Sequence, residues 1–161
     1  MPFIIQWVEN CSGVEEVVRL RTPVGQFAIT SQQGVVSKTD WELGECLSPP
    51  GEHELERYWL NPDKPINIKL LKQGSLYRNR VWAALCQIPF GETITYSALA
   101  KIIGSSARAV GNACRDNPYA LFIPCHRVIS VSGIGGYCGQ TEGDLMAIKY
   151  KLLELEASLK K

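Results

Sequence analysis

Several features that define other classes of protein are missing from this sequence of 161 residues. No apolar run approaches the roughly 18 residues that a membrane-spanning helix needs, and residues 1–20 lack the pattern of a secretory signal peptide. No Cys-x-x-Cys pair occurs, which argues against a structural zinc ribbon. Internal repeats and low-complexity segments are also absent. We therefore expect a cytoplasmic protein, with a bacterial cytoplasm favoured, in which the six cysteines are reduced.

The composition suits a folded chain whose two halves differ in charge. The sequence is 45% hydrophobic and 20% charged, which is enough apolar surface to bury a core. Its net charge of +1 conceals a split: residues 1–71 hold 6 Lys/Arg and 10 Asp/Glu, whereas residues 72–161 hold 11 Lys/Arg and 6 Asp/Glu. A basic second half is typical of contact with an anionic partner such as nucleic acid, but an excess of this size also arises by chance.

The first forty residues predict β-strands. Residues 14–20, 26–30 and 35–40 are rich in β-formers, and Gly25 and Gly34 stand at turn positions between them. We expect a small antiparallel sheet. A proline-rich stretch at residues 48–51, a short helix at 52–60 and an extended connector at 61–69 follow. We place the domain boundary between residues 73 and 74, which gives an N-terminal β-rich domain over 1–73.

Residues 74–161 predict a mostly helical domain, so the fold class is α+β. Apolar residues from 77 to 88 recur at helical spacing, and a second short helix over 97–103 stops at Gly104. Ser105 or Ser106 can cap a third helix that runs to residue 114. Two short helices joined by a tight turn fit a helix-turn-helix, although an ordinary helical hairpin fits the same pattern.

The C-terminal helix has the clearest pattern of the chain. Its leucines and isoleucine at positions 145, 148, 152, 155 and 159 form an apolar stripe. Glu156 borders this stripe. A carboxylate there either finds a partner inside the protein or lies solvated at the rim, and the pattern leaves both interpretations open.

One segment contains candidate catalytic residues. The apolar run over residues 121–129 is interrupted by Cys125, His126 and Arg127. A cysteine attacks as its thiolate, and a nearby histidine can remove its proton. Neighbours in a strand face opposite ways, so contact between Cys125 and His126 requires a bend, which Pro124 can help to set, or a bridging water. An inert buried cysteine beside a structural histidine fits the same residues. The other five cysteines lack such neighbours and are interpreted as packing or incidental residues.

Five ordered motifs in the second half carry a family resemblance. They are IPCHRV at residues 123–128, GSLY at 74–77 with Val81-Trp82, IPFGETITY at 88–96, ARAVG at 107–111 and Asn117-Pro118. Together they cover about residues 74–156, and the segment at residues 22–25 agrees more loosely. The chain resembles the O6-alkylguanine-DNA alkyltransferases, also called methylated-DNA–protein-cysteine methyltransferases. The resemblance implies an RNase H-like first domain and a winged-helix-like second domain with a helix-turn-helix.

The resemblance also implies a reaction and its residues. Cys125 matches the acceptor that takes the alkyl group from O6-alkylguanine in one single-turnover step, without a cofactor. His126 matches the water-linked base and Glu156 the carboxylate behind it. Tyr96 matches the tyrosine that faces the flipped nucleotide and can protonate N3 of the leaving guanine.

Further residues are implied for DNA and for the guanine pocket. Arg108 matches the arginine that fills the gap left by the extruded base, and Asn117 the asparagine that ties the recognition helix to the active-site segment. Small residues on that helix, such as Ala107 and Gly111, allow close approach to the DNA backbone and suit the minor groove. The pocket residues expected beside the guanine are Asn117, Val128, Tyr137 and Cys138, with backbone groups of Cys125, Val128 and Cys138 holding the base edge.

The sequence departs from the family pattern at two places. Cys138 stands where many relatives have serine or arginine, and the loop over residues 140–144 is longer. Cys11, Cys46 and His53 do not follow the zinc-ligand spacing of some eukaryotic members, so we expect no metal.

The expected partner is double-stranded DNA carrying O6-alkylguanine, bound by a monomer, with no membrane. The alternatives are an alkyltransferase-like binding protein, which has tryptophan at the acceptor position, and a cysteine hydrolase using Cys125 and His126.

Overall fold

The computed structural model describes residues 3–43, 55, 58–59, 61–139 and 142–160. The chain forms two compact units, Met1–Gln73 and Gly74–Lys161. The proline-rich stretch at residues 48–51 lies outside the described residues, as does most of the short helix predicted over 52–60. None of the described helices is long and apolar enough to cross a membrane.

The first unit is a five-stranded sheet of β1 (Phe3–Val8), β2 (Glu15–Thr22), β3 (Gly25–Gln32), β4 (Val35–Glu42) and β5 (Ile66–Leu71), in the order β1-β5-β4-β3-β2. The predicted antiparallel meander is present as β2, β3 and β4. Phe27 and Trp41 pack on this sheet with ring centroids 4.7 Å apart, and Leu70 is fully buried.

One strand of this sheet, β5, differs from the prediction. The segment interpreted as an extended connector contains β5, which lies between β1 and β4 and pairs parallel to both. The sheet is therefore mixed rather than purely antiparallel. Parallel partners are separated by long stretches of chain, so no hairpin turn in the sequence marks the pairing of β5.

The second unit opens with three short helices, α1 (Leu76–Leu85), α2 (Tyr96–Ile103) and α3 (Ala107–Arg115). Side-chain caps fix their starts, because the hydroxyls of Ser75, Thr95 and Ser106 each accept a hydrogen bond from a backbone N–H of the first turn. Gly104 ends α2 in the left-handed conformation, with φ of 68°. The tight turn between α2 and α3 gives the helix-turn-helix that the sequence pattern allowed.

Downstream of α3, the chain forms a 3₁₀ turn (Cys125–Arg127), the short strand β7 (Val128–Ile129) and the long helix α4 (Asp144–Leu159). β7 pairs parallel to β6 (Ile94–Thr95), the strand that leads into α2. This pairing holds the segment with Cys125 and His126 next to the start of α2. The buried face of α4 includes Ile148, Leu152 and Glu156 and packs against the 3₁₀ turn.

Candidate active site

The segment expected to bend does so at Cys125. Pro124 precedes the 3₁₀ turn, and Cys125, His126 and Arg127 are all buried within it. A turn of this kind removes the strict alternation of a strand, in which neighbouring side chains point to opposite faces. The short turn therefore lets three consecutive polar or ionisable residues all face the interior of the unit.

Glu156 lies at the centre of a buried polar cluster and not at a solvated rim. It is 1% exposed. Its Oε2 lies 2.5 Å from Nε2 of His126, and its Oε1 accepts a hydrogen bond of 2.7 Å from Nε of Arg127. Burial opposes ionisation of this carboxyl, but attraction to His126 and Arg127 lowers the pKa of Glu156 to about 2. Glu156 is therefore a carboxylate at neutral pH.

This carboxylate determines the form of His126. Burial lowers the pKa of His126 below its usual value, so its ring is neutral at neutral pH. A carboxylate can only accept a hydrogen bond, so Nε2 carries the ring proton and Nδ1 has the free lone pair. Nδ1 is buried and has no hydrogen-bond partner within the part of the chain that the structure describes. The ring thus offers an unoccupied proton acceptor inside the site.

The Cys125 thiol is protonated at rest. Burial raises the pKa of this thiol, and a hydrogen bond with Asn117 and the charge of Lys149 only partly oppose that rise. Asn117 follows α3 and also donates to the carbonyl of Ile123 at 3.0 Å, while it accepts from the N–H of Tyr119. It thus joins the end of α3 to the segment that contains Cys125. Burial thus outweighs the neighbours that favour the thiolate.

Cys125 lies on the wall of a cavity of about 270 Å³. The other lining residues come from α2, α3 and the loop before α4, and are Tyr96, Gly111, Asn112, Cys114, Arg115, Gly136, Tyr137, Cys138 and Gly139. Gly135 allows this loop to approach closely, because a Cβ there would lie 2.9 Å from Cε2 of Tyr96. The volume is near the lower end of the roughly 300–1,000 Å³ typical of small-molecule sites.

Tyr96 faces this cavity as an undissociated phenol. It is the first residue of α2 and is half-buried. Burial and the thiols of Cys114 and Cys125 raise the pKa of Tyr96 to about 12, although a backbone hydrogen bond at Gly136 opposes the rise. A protonated phenol at the cavity wall can donate its proton to a bound group.

The structure does not bring all of the predicted site residues to the cavity. Val128 and Asn117 are not among its lining residues, and the Val128 carbonyl accepts a hydrogen bond from Lys149. Arg108 and Ala107 lie on the exposed first turn of α3, away from the lining. Gly111, one turn further along, does reach the cavity.

Several residues of the site were not predicted from the sequence, and three of them bear on its chemistry. Cys114 lines the cavity although it was interpreted as a packing or incidental residue. Arg127 holds Glu156 and also donates to the Ile88 carbonyl at 2.9 Å. Lys149 is fully buried on α4. Its sequence signal was available, because position 149 lies four residues after Leu145 and three before Leu152, within the apolar stripe.

Comparison with known proteins gives the family. The family model for the DNA-binding domain of 6-O-methylguanine DNA methyltransferase matches residues 76–158, which is more than half of the chain. A methylated-DNA–protein-cysteine methyltransferase of Methanosarcina acetivorans is 40% identical over 121 residues, covering 73% of this chain and 74% of the relative. The chain belongs to the methylated-DNA–protein-cysteine methyltransferase family. The family resemblance found in the sequence is thereby confirmed.

Solved structures of methyltransferases agree with the fold described above. The O6-methylguanine methyltransferase of Mycobacterium tuberculosis is 32% identical and has a TM-score of 0.74, covering 92% of this chain and 96% of that protein. A crystal structure of the M. tuberculosis protein in complex with DNA is 34% identical with a TM-score of 0.70 and covers 88% and 92% of the two chains. The α+β fold class is confirmed. As a methyltransferase of this family, the chain repairs DNA by alkyl transfer to a protein cysteine, and the cysteine hydrolase is set aside.

Proposed function

We propose that Cys125 accepts the alkyl group of O6-alkylguanine in one in-line displacement. The carbon–sulfur bond forms as the bond between the alkyl carbon and O6 breaks, and guanine leaves. The observation that carries this proposal is the position of Cys125, which lies on the cavity wall beside the polar cluster of His126 and Glu156. A thioether does not hydrolyse, so each molecule acts once and no cofactor takes part.

The proton of the thiol moves in the opposite direction. His126 takes it through Nδ1, by way of a water molecule, while Glu156 holds the ring in the required tautomer. Tyr96 gives a proton to N3 of the leaving guanine. Its raised pKa, about 12, supports this role because the phenol is still protonated at neutral pH. The proton held by His126 then returns to the Tyr96 phenolate through water, so the net change is transfer of one alkyl group to sulfur and one proton to guanine.

Backbone and side-chain groups around the cavity hold the base. We assign the guanine edge to backbone groups of Cys125, Val128 and Cys138, with Tyr137 in the wall. The Val128 carbonyl can still accept from a base, because its bond to Lys149 uses one of its two lone pairs. Asn117 acts through the acceptor, to which its side chain is hydrogen-bonded.

The damaged nucleotide reaches this cavity by leaving the duplex. Flipping a base costs about a few kcal/mol, and a cation inserted into the stack offsets part of that cost. Arg108 takes this role from the exposed first turn of α3, while Ala107 and Gly111 let the helix approach the DNA backbone. The DNA complex of the M. tuberculosis relative supports this partner. We further propose that the chain acts on O6-alkylguanine duplexes as a monomer in the cytoplasm.

The acceptor assignment is tested by cysteine variants within one cavity. Cys125→Ser should abolish transfer of a labelled methyl group from an O6-methylguanine duplex but leave duplex binding intact, because an alcohol is a far poorer nucleophile than a thiolate. Cys114→Ser and Cys138→Ser are matched controls, since both thiols line the same cavity. Retention of near-parent transfer by Cys125→Ser would disprove the assignment.

A further inference from the structure

Lys149 is a buried cation that the proposed reaction does not use. The side chain is 0% exposed, in the middle of α4. Burying an ammonium group is costly unless it is paired, and no carboxylate forms a salt bridge with Lys149 among the described residues. Met146 and Leu152, three residues to either side on the helix, are buried apolar residues, and the Glu156 carboxylate further along that face is paired with His126 and Arg127. A charge kept in this position without a carboxylate partner points to a role in the adjacent site.

The hydrogen bonds of Lys149 join two walls of the site. Nζ donates to the carbonyl oxygens of Val128 and Gly136, both at 2.7 Å. Val128 follows the 3₁₀ turn that contains Cys125, and Gly136 lies in the loop that lines the cavity. The same ammonium lies 6.0 Å from the centroid of the Tyr96 ring. One side chain therefore connects the acceptor segment, the loop and the start of α2.

The ionisable groups near Lys149 are three thiols, the Tyr96 phenol and His126, whose pKa the Lys149 charge lowers. Burial lowers the pKa of Lys149 to about 8, and the thiols of Cys125, Cys114 and Cys138 oppose this shift. At neutral pH the group still carries its proton. In return, its charge lowers the pKa of the Cys125 thiol against the effect of burial. The groups that act on Cys125 are thus Tyr96 from α2, Cys114 from α3, Asn117 after α3, Lys149 from α4 and the neighbouring His126 of the 3₁₀ turn.

We propose that Lys149 is a positioning residue of the acceptor site, which fixes the Val128 and Gly136 carbonyls across the cavity and stabilises the Cys125 thiolate with its positive charge. Because Tyr96 and Cys114 are neutral at neutral pH, Lys149 supplies the charge that compensates sulfur after His126 has removed the thiol proton. Lys149 does not touch the substrate. The proposal rests on the assignment of Cys125 as the alkyl acceptor.

Alkylation of Cys125 by iodoacetamide as a function of pH tests this role. The rate is followed on the Cys125 peptide by mass spectrometry, in the full chain. Lys149→Met should make Cys125 about tenfold slower than in the parent at pH 7, and this deficit should shrink above pH 8, where Lys149 itself loses its proton. Lys149→Arg keeps the positive charge and should keep the rate at pH 7 close to that of the parent. Lys151→Met is the matched control, because Lys151 is exposed on the same helix.

The other possible outcomes contradict either the proposed charge effect of Lys149 or the assignment of Cys125 as the alkyl acceptor. A rate deficit in Lys149→Met that is the same at every pH would show that Lys149 only supports the fold, and no deficit at pH 7 would show that its charge does not act on Cys125. If Lys149→Met does not fold, Lys149→Gln carries the same test, and failure of both neutral variants to fold would overturn the proposal. Methyl transfer from duplex DNA by the parent is measured in parallel. Methyl groups found on a residue other than Cys125 would contradict the proposed function, whereas a parent-like rate of Lys149→Met at pH 7 contradicts only the role of Lys149.

Discussion

At the residue scale, burial sets the protonation states on which the proposed reaction depends. It keeps Cys125 as a thiol and His126 as a neutral ring, whereas Glu156 remains ionised because Arg127 is a permanent cation at 2.7 Å. A resting thiol is protected from unwanted alkylation and must be deprotonated when substrate is in place. Activation of the thiol therefore requires a base, and in the proposed reaction this base is Nδ1 of the neutral His126 ring.

The first prediction concerns that base. His126→Gln should slow methyl transfer by about 10²–10⁴-fold near neutral pH, the contribution typical of general acid–base catalysis. The deficit should shrink as the pH rises, because the Cys125 thiol then ionises unaided. Single-turnover rates of parent and variant across this pH range provide the measurement. A deficit that stays constant with pH would indicate altered geometry instead of a lost base.

The second prediction concerns Glu156 and acid. The pKa of this carboxyl falls from an ordinary value of 4.5 to about 2 in the folded state, so the unfolded chain binds more protons in this interval. Its contribution to stability is present above about pH 4.5 and is lost as the pH falls towards 2. Glu156→Gln leaves Arg127 unpaired and should lower the free energy of unfolding at pH 7 by about 3–5 kcal/mol.

Urea unfolding at pH 7 and at pH 3 measures the difference in free energy of unfolding between the parent and Glu156→Gln. This difference should be smaller at pH 3. Glu154→Gln is the control, because Glu154 is exposed on the same helix and should change stability little. Methyl transfer by Glu156→Gln should also slow, since the His126 ring loses the acceptor that selects its tautomer. Unchanged stability and rate would remove Glu156 from the site and leave a Cys-His pair.

The sequence predicted this site in part. A cysteine and a histidine within a conspicuous motif were identified, and Glu156 was placed beside the apolar stripe of its helix. Arg127 and Lys149 were not assigned roles, because their partners are mainly backbone carbonyls and a distant carboxylate that only folding brings near. A local sequence pattern does not reveal partners of this kind. The one available signal was a lysine inside the apolar stripe of α4.

At the element scale, α3 is the proposed link between DNA and the cavity. Its first turn is exposed at Arg108, whereas Gly111 and Arg115 reach the cavity lining. Its position is held by a hydrogen bond of 2.8 Å from the Trp82 indole to the Ala113 carbonyl and by the 2.6 Å ion pair of Arg78 with Asp116. A short helix fixed at its inner face can present its outer face to a duplex.

The third prediction separates flipping from chemistry. Arg108→Ala should slow transfer from O6-methylguanine in duplex DNA much more than transfer from free O6-benzylguanine, because the free base needs no flipping. Tyr96→Phe should slow both, since it removes the proton donor to the leaving base. The two rates are measured for each variant. Equal losses on the two substrates for Arg108→Ala would place Arg108 in the fold or the pocket and not in the flipping step.

The fourth prediction concerns the surface of α3. A Cβ at Gly111 would have no atom within 4 Å, so Gly111→Ala should stabilise the chain by about 0.5–1 kcal/mol through helix propensity. The same methyl group should weaken duplex binding if the DNA backbone approaches this position. Gly104→Ala is the contrast: at φ of +68° it should destabilise by about 1–2 kcal/mol. Parent-like duplex affinity of Gly111→Ala, measured by fluorescence anisotropy, would contradict close approach at this glycine.

The helices were better predicted than the sheet, for a physical reason. Local signals bound α2 and α3, since Gly104 ends one helix and Ser106 caps the other within a few residues. The placement of β5 depends on β1 and β4, which lie far from it along the chain. A parallel pair has no turn that joins its strands directly, so proline-flanked residues 61–69 resembled a connector.

At the scale of the whole molecule, the charge split follows the two units. Gly74–Lys161, the unit with the helix-turn-helix and the Cys125 cavity, holds 10 Lys/Arg and 6 Asp/Glu, whereas Met1–Gln73 holds 7 and 10. Binding to DNA through phosphates releases counterions, so a basic unit favours duplex DNA with little sequence preference. The acceptor is part of the protein itself, so in the proposed reaction each chain is consumed by one repair.

The mass of the intact protein tests this account most directly. After incubation with an excess of O6-methylguanine duplex, every molecule should gain the mass of one methylene and no more, and peptide mapping should place the methyl group on Cys125. The DNA should release one repaired guanine for each protein molecule. Repair that continues beyond one guanine per molecule while the protein keeps its original mass would contradict transfer to the chain, and a methyl group on another cysteine would contradict Cys125 as the acceptor.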